Sequence, residues 1–103
     1  MKTHKAKQVA ITIEAPMERR LRAALEEAGV TGYSILPVIG GSGRSGPWSA
    51  EGQVGRAGGM VQVCCIIRPD RLDGLLDGVF AVVERHIGLV TVTDCDVLRA
   101  ERF

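Results

Sequence analysis

Residues 40–59, GGSGRSGPWSAEGQVGRAGG, have the composition best suited to binding an anion, and they hold eight of the thirteen glycines. Glycines allow successive backbone N–H groups to converge on one point as a nest. Ser42 adds a hydroxyl, and Arg44 adds a planar cation that matches phosphate or carboxylate. The candidate anion-binding residues are therefore Gly41, Ser42, Gly43 and Arg44. A flexible surface linker is the alternative interpretation of this segment.

Two nucleotide-binding motifs are excluded in the same segment. The glycines of residues 41–46 spell G-x-G-x-x-G, but a Pro-Trp pair follows where the dinucleotide fingerprint requires the start of a helix. A Walker-type phosphate loop needs a lysine, and none occurs after Lys7. Any phosphate site here must therefore be of another kind.

The elements that would position this segment follow from hydrophobic periodicity and from glycine and proline punctuation. Pro37 cannot donate to a strand ladder, which predicts that the second strand lies at a sheet edge. The second helix is predicted to bury a stripe that includes Leu75, Val79 and Phe80. The predicted elements are strands over 7–13, 33–39, 60–67 and 89–93, helices over 16–28 and 69–87, and a C-terminal tail over 95–103.

This order predicts a single α+β domain over 1–103, a ferredoxin-like βαβ-βαβ sandwich. One four-stranded antiparallel sheet would carry both helices on one face, with the long loop 41–59 between the second and third strands. The other face would carry apolar side chains from all four strands, including Val61 and Val63 or the residues that alternate with them. Because so short a chain is a marginal monomer, self-association is the expected way to bury that face.

Composition excludes several classes of function. The formal net charge of +1 gives no bulk electrostatic basis for binding nucleic acid. No apolar run approaches the roughly 18 residues of a membrane span, and the first residues do not resemble a signal peptide, so the expected location is cytoplasmic. Ser42, Ser45 and Ser49 have no evident base beside them. We therefore expect no enzymatic activity.

The cysteines and histidines support a second hypothesis. Cys64, Cys65 and Cys95 fit no zinc spacing, and adjacent cysteines on a strand point to opposite faces. Their expected role is that of small buried hydrophobic residues, with no metal bound. His86 is predicted to cap the second helix, and His4 to lie in a mobile terminus. The alternative is a small ferredoxin-like trimeric metal-binding protein or enzyme of the CutA kind, using these cysteines and His86.

The order of several short segments resembles the PII signalling family, and in particular its carbon-linked PII-like branch. Gly-Tyr-Ser-Ile at 32–35, followed by Gly-Ser-Gly-Arg at 41–44, is similar to the strand and loop base of PII proteins. The long loop 41–59 resembles the family's T-loop. Residues 88–94 and 97–99 resemble its last strand and tail. The likeness extends from about residue 7 to residue 102.

This resemblance implies a homotrimer with adenine nucleotide (ADP, AMP or ATP) in the clefts between subunits and no obligatory cofactor. Residues 41–44 would wrap the phosphates, and the tail would add arginines. The alternative interpretation of the tail is a disordered basic segment. The branch is associated with bicarbonate transport and carboxysomes, which implies a transporter or carboxysome component as partner, and bicarbonate as a second ligand of residues 41–44. The implied nucleotide-binding residues are Ser34, Gly41, Ser42, Gly43, Arg44, Gln62, His86, Gly88, Leu89, Arg99 and Arg102.

Two departures from the family pattern affect the ligand and the covalent modification of the loop. Leu89 stands where typical PII proteins carry a basic residue, which implies a weaker grip on a third phosphate, so that ADP or AMP would rival ATP. The loop contains no tyrosine, because the only one is Tyr33. The tyrosine modification of nitrogen-sensing PII proteins therefore has no acceptor in this loop.

Overall fold

Four long strands form one antiparallel sheet, and two short strands form a separate hairpin. The computed structural model describes residues 1–44, 46–49, 59–99 and 101. The ferredoxin-like fold class is confirmed, and Pro37 lies on an edge strand as predicted. The elements are β1 His4–Glu14, α1 Glu18–Glu27, β2 Tyr33–Val38, β3 Gly40–Gly43, β4 Gly46–Ser49, β5 Met60–Ile67, α2 Leu72–Val83 and β6 Gly88–Val97. The sheet has the strand order β2-β5-β1-β6, and β3 and β4 form the hairpin.

The core lies between one face of the sheet and the two helices. Strand β1 buries alternate residues completely, because a strand presents every second side chain to the same face. The helices cover this face with one apolar stripe each, and Gly29, just beyond α1, has φ +87°, a conformation that favours glycine. The fully buried members of the core include Val9, Ile11, Ile13, Leu21, Leu25 and Val63.

The face without helices is more polar than predicted. Val61 and Val63 point towards the helices, and the residues that alternate with them in β5 are Gln62, Cys64 and Ile66. Apolar side chains remain exposed there, among them Leu36 at 46% and Leu89 at 65%. Sequence alternation located the two faces correctly, but the helix-free face mixes hydroxyl and amide groups with apolar ones.

Strands β1 and β6 extend further than predicted. His4 pairs with Val97, so it belongs to β1 and is not in a mobile terminus. Likewise, β6 continues through Cys95 to Val97, so the first three residues of the predicted tail are strand. Lysines on β1 face aspartates on β6, with Lys5 Nζ 3.1 Å from Asp96. These charged residues hid the strand pattern in the sequence, and pairing across the two strands stabilises the extension.

The second helix is shorter than predicted. Helix α2 ends at Val83, and the His86 N–H donates to the Val83 carbonyl across a turn. His86 therefore lies three residues beyond the helix, and its backbone N–H satisfies the carbonyl of the last helical residue. Phe80 is 63% exposed and not part of the buried stripe, which comprises Leu75 and Val79. Among the described residues, no helix is both long and apolar enough to cross a membrane.

Candidate functional site

The described part of the glycine-rich loop is a short hairpin. Gly40 pairs with Ser49 and Gly43 with Gly46, so Gly40–Gly43 are extended. In a strand, successive N–H groups point in alternate directions, so the nest predicted for residues 41–43 is not formed in this structure. Ser42 and Arg44 are exposed on this hairpin. An anion could be wrapped by these residues only after the hairpin had changed its conformation.

Trp48 packs across the hairpin onto the glycines of β3. A Cβ on Gly41 would lie 3.5 Å from the Trp48 ring, and a Cβ on Gly40 would lie 2.9 Å from the Trp48 carbonyl oxygen. Only glycine at position 40 allows that approach without a shift of the backbone. The indole is therefore positioned directly against the residues that are candidates for anion binding.

Three predicted site residues lie on the helix-free face of the sheet. The register places Leu36, Gln62, Thr12 and Leu89 in one row across β2, β5, β1 and β6. Gln62 Nε2 donates to Thr12 Oγ1 at 3.1 Å. Ser34 pairs with Cys64 in the next row. Ser34, Gln62 and Leu89 thus share a face. Gln62 and Leu89 lie near the end of the sheet from which the hairpin leaves, and Ser34 lies two residues further from that end.

The turn that precedes β6 is attached to this same end of the sheet. Gly88 pairs with Ile13. The Ile87 N–H donates to Glu14 Oε1 at 2.8 Å, and His86 Nδ1 lies 3.7 Å from the same oxygen. Sequence reasoning missed Glu14. A single acidic residue at the end of a strand gives no pattern, and only the tertiary contact identifies it.

The tail lies at the opposite end of the sheet. Strand β6 separates Gly88 from Val97 by nine residue steps, a distance of about 30 Å at the usual strand rise. Arg99, just beyond it, donates from Nε to Glu101 Oε1 at 3.1 Å. A backbone hydrogen bond and the Arg99 guanidinium lower the pKa of the Glu101 carboxyl. One chain therefore does not bring Arg99 to the turn at 86–89, and Arg102 is outside the described residues.

A cavity of about 530 Å³ occupies the tail end of the molecule. Its wall includes the segment that links α1 to β2, the end of β5, and Glu101. Arg68 and Arg71 contribute positive charge. These residues were also missed, because two arginines around a predicted helix start are usual on a solvated surface. The lining residues are Ala28, Gly29, Val30, Thr31, Gly32, Ile66, Ile67, Arg68, Arg71, Leu75 and Glu101.

The cysteines do not form a cluster in the described structure. Cys65 is buried among the core residues on the helix side, and burial raises the pKa of its thiol to about 11. It is therefore protonated at neutral pH. Cys64 faces the other side and lies 3.5 Å from Gln62 Oε1. Within the described part of the chain, no group of three or more His, Cys, Asp or Glu residues is placed to hold a metal ion.

The fold and these features define a small ferredoxin-like domain with a glycine-rich hairpin at one end of its sheet and a basic cavity at the other. A family model for the nitrogen regulatory protein P-II matches residues 6–102. The chain belongs to the P-II family. No curated protein matches it significantly.

Solved structures agree with this assignment. The chain is similar to CPII, a nitrogen regulatory PII-like protein from Thiomonas intermedia K12, bound to ADP, AMP and bicarbonate: TM-score 0.90, 25% identity, 99% of this chain and 96% of that chain covered. For CPII bound to ADP and bicarbonate, the TM-score is 0.85 and the identity 27%, with 99% of this chain and 97% of that chain covered. For a putative PII-like signalling protein from Thermus thermophilus, the TM-score is 0.82 and the identity 22%, with 100% of this chain and 99% of that chain covered. This likeness shows the fold alone. The predicted resemblance is confirmed, and the bicarbonate in CPII supports the carbon-linked branch.

Proposed function

We propose that this protein is a homotrimeric, non-enzymatic sensor that binds an adenine nucleotide between subunits. One observation carries the proposal. The hairpin and the turn at 86–89 lie at one end of the sheet, whereas Arg99 lies beyond the far end of β6, about 30 Å along the strand from Gly88, and the basic cavity is nearer to that far end. These two half-sites can enclose one ligand only if they come from different copies of the chain. CPII, which has the same fold, is bound to ADP and AMP.

The helix-free face would form the contact between the copies. It carries Leu36, Ile66 and Leu89 with their side chains exposed, and exposed apolar area of this kind is costly for an isolated domain. Its polar side chains are partly satisfied within the chain, as in the bond from Gln62 to Thr12. An interface therefore need not leave them without partners. A closed ring of three copies would bury all three faces equivalently.

Each half of the proposed site has its own role. Gly41–Arg44 and the turn with His86, Gly88 and Leu89 would hold the phosphates, and Ser34 and Gln62 would lie near the adenine. The neighbouring copy would supply Arg99, Arg102 and the basic cavity. Leu89 offers no charge to a third phosphate, so ADP or AMP would rival ATP at this site.

Bicarbonate is the proposed second ligand. It is a small planar anion that can pair with the Arg44 guanidinium in two parallel hydrogen bonds. Gly41, Ser42 and Gly43 could complete the site with backbone N–H groups and a hydroxyl once the hairpin rearranges. CPII is bound to ADP and bicarbonate, which supports bicarbonate as the second ligand.

The conformation of the loop 41–59 would be the output of the sensor. A ligand that orders a segment changes what a partner can recognise. The proposed partner is a protein of inorganic-carbon metabolism, such as a bicarbonate transporter or a carboxysome component. Because adenine nucleotides are metabolites of the cytoplasm, we place the sensor there.

Calorimetric titration with ADP, AMP and ATP tests this function, first in bicarbonate-free buffer and then with bicarbonate at equal pH and ionic strength. We expect ADP to bind, and bicarbonate to tighten it, because both ligands would hold residues 41–44 in the same rearranged conformation, and such a coupling is reciprocal. Sodium chloride at the same ionic strength is the control. An ADP affinity that ignores bicarbonate would contradict the second ligand, and no nucleotide binding at all would overturn the proposed function.

Trp48 should report the binding event. The ring lies against Gly41, and wrapping a phosphate requires the extended hairpin to change conformation, so the indole must move. Since this is the only tryptophan in the chain, its emission needs no deconvolution. We expect ADP with bicarbonate to shift the emission maximum and intensity, with a midpoint that equals the calorimetric one. Unchanged emission at saturation would show that the hairpin does not rearrange.

A further inference from the structure

The end of β1 holds two separate segments of the candidate site at one corner. Glu14 is the last residue of β1, and its Oε1 accepts the Ile87 N–H at 2.8 Å. The next residue, Ala15, donates its N–H to the Gly59 carbonyl at 2.9 Å. Gly59 is the last residue of the glycine-rich loop 41–59 and so belongs to its returning arm. Two consecutive residues thus hold the returning arm of the loop and the turn before β6.

The Glu14 carboxylate acts on the turn at a point that β-sheet pairing does not reach. Pairing between β1 and β6 begins at Ile13 and Gly88, so Ile87 lies just outside the ladder. Its N–H would have no strand partner without Glu14. The His86 imidazole lies 3.7 Å from the same oxygen, close enough for an ion pair when the ring is protonated. The side chains of Glu14 and His86 are both about two-thirds buried, which limits competition from water.

We infer that Glu14 is a positioning residue for the nucleotide site, and that the corner of Glu14 and Ala15 links the turn at 86–89 to the loop. This inference rests on the proposed function. Glu14 does not touch the ligand. It fixes the backbone of residues that would, and a backbone that is already in place loses less entropy when it binds phosphate. Because Ala15 holds Gly59, a shift of the turn is transmitted to the returning arm of the loop.

The test compares Glu14→Ala with Glu14→Gln. Glutamine keeps an oxygen that can accept the Ile87 N–H, whereas alanine does not. We expect Glu14→Ala to weaken ADP binding about tenfold or more, and Glu14→Gln to restore most of it. Hydrogen exchange of the Ile87 amide, followed by NMR, reports the anchor directly. It should be protected in the wild type and in Glu14→Gln, and should exchange faster in Glu14→Ala.

Asp96→Ala is the matched control. It removes a carboxylate that connects the same two strands at the far end of the sheet, where Asp96 pairs with Lys5 at 3.1 Å. ADP affinity and Ile87 protection should stay at the wild-type values in this variant. The emission change of Trp48 at saturating ADP tests the link between the turn and the loop. This change should be smaller in Glu14→Ala than in Glu14→Gln.

The outcomes separate this inference from the function on which it rests. If Glu14→Ala loses Ile87 protection but binds ADP normally, the bond is structural and the positioning role is overturned. If Ile87 exchanges equally in all variants, the anchor itself is refuted. If the wild-type protein binds no nucleotide in the calorimeter, the proposed function fails, and the positioning role fails with it even where the Ile87 bond is present.

Discussion

Replacing Arg44 with alanine is expected to weaken ADP binding in the presence of bicarbonate by about ten- to 150-fold. This range corresponds to the roughly 1.5–3 kcal/mol of a hydrogen bond to a charged group. Arg44 is exposed on the hairpin and is not part of the buried core, so the fold should not change. Calorimetry measures the affinity, and circular dichroism with thermal unfolding checks the fold.

The charge and the shape of the Arg44 side chain can be separated. Arg44→Lys keeps the charge but cannot form two parallel hydrogen bonds, so it should recover only part of the affinity. Arg20→Ala removes an exposed arginine from α1 and should bind ADP as the wild type does. Equal affinities for Arg44→Ala and the wild type would remove Arg44 from the site and would favour the interpretation of this loop as a surface linker.

Placing a charge in the centre of the helix-free face is expected to separate the subunits and to abolish nucleotide binding. Ala10 lies in β1 between Cys64 of β5 and Thr91 of β6. If three copies bury this face, Ala10→Asp places an unpaired carboxylate in the interface of each copy, at a cost of about 3–5 kcal/mol for each charge. Because the half-sites come from different copies, the ADP affinity should fall more than about a hundredfold with the loss of the trimer.

Analytical ultracentrifugation measures the assembly, and calorimetry measures the ADP affinity of the same samples. Ala23→Asp is the matched control, because Ala23 is exposed on α1, and α1 packs on the face of the sheet opposite to the helix-free face. It should remain trimeric and bind ADP. A monomeric Ala10→Asp that is folded and binds ADP normally would place the whole site within one chain. A trimeric Ala10→Asp would show that the copies meet through another surface.

The local chemistry of the sequence determined the order of elements and the two faces of the sheet. Alternation in β1 located the buried residues Val9, Ile11 and Ile13, because a strand exposes every second side chain to the helices. Pro37 predicted an edge strand correctly, since it lacks the N–H that a central strand needs. These features are local along the chain and can therefore be found without knowing the contacts between distant residues.

Charged residues and segment ends concealed other features from the sequence. The sequence predicted a mobile terminus at His4 and a tail from residue 95, because the charges of Lys5 and Asp96 are paired only when β1 and β6 lie side by side. The end of α2 at Val83 depends on the chain having to turn before it can enter β6 beside β1. In both cases the deciding interaction joins residues that are far apart in the sequence, so no local pattern contains it.

The sequence by itself determined the family pattern and the chemistry of the glycine-rich loop. Only the tertiary structure decided where the candidate residues lie. It placed Ser34, Gln62 and Leu89 on one face, set Arg99 about 30 Å from the turn at 86–89, and showed Glu14 holding Ile87. The physical reason is that sheet register fixes neighbours across strands, and a register is a property of paired strands, which a single stretch of sequence does not have.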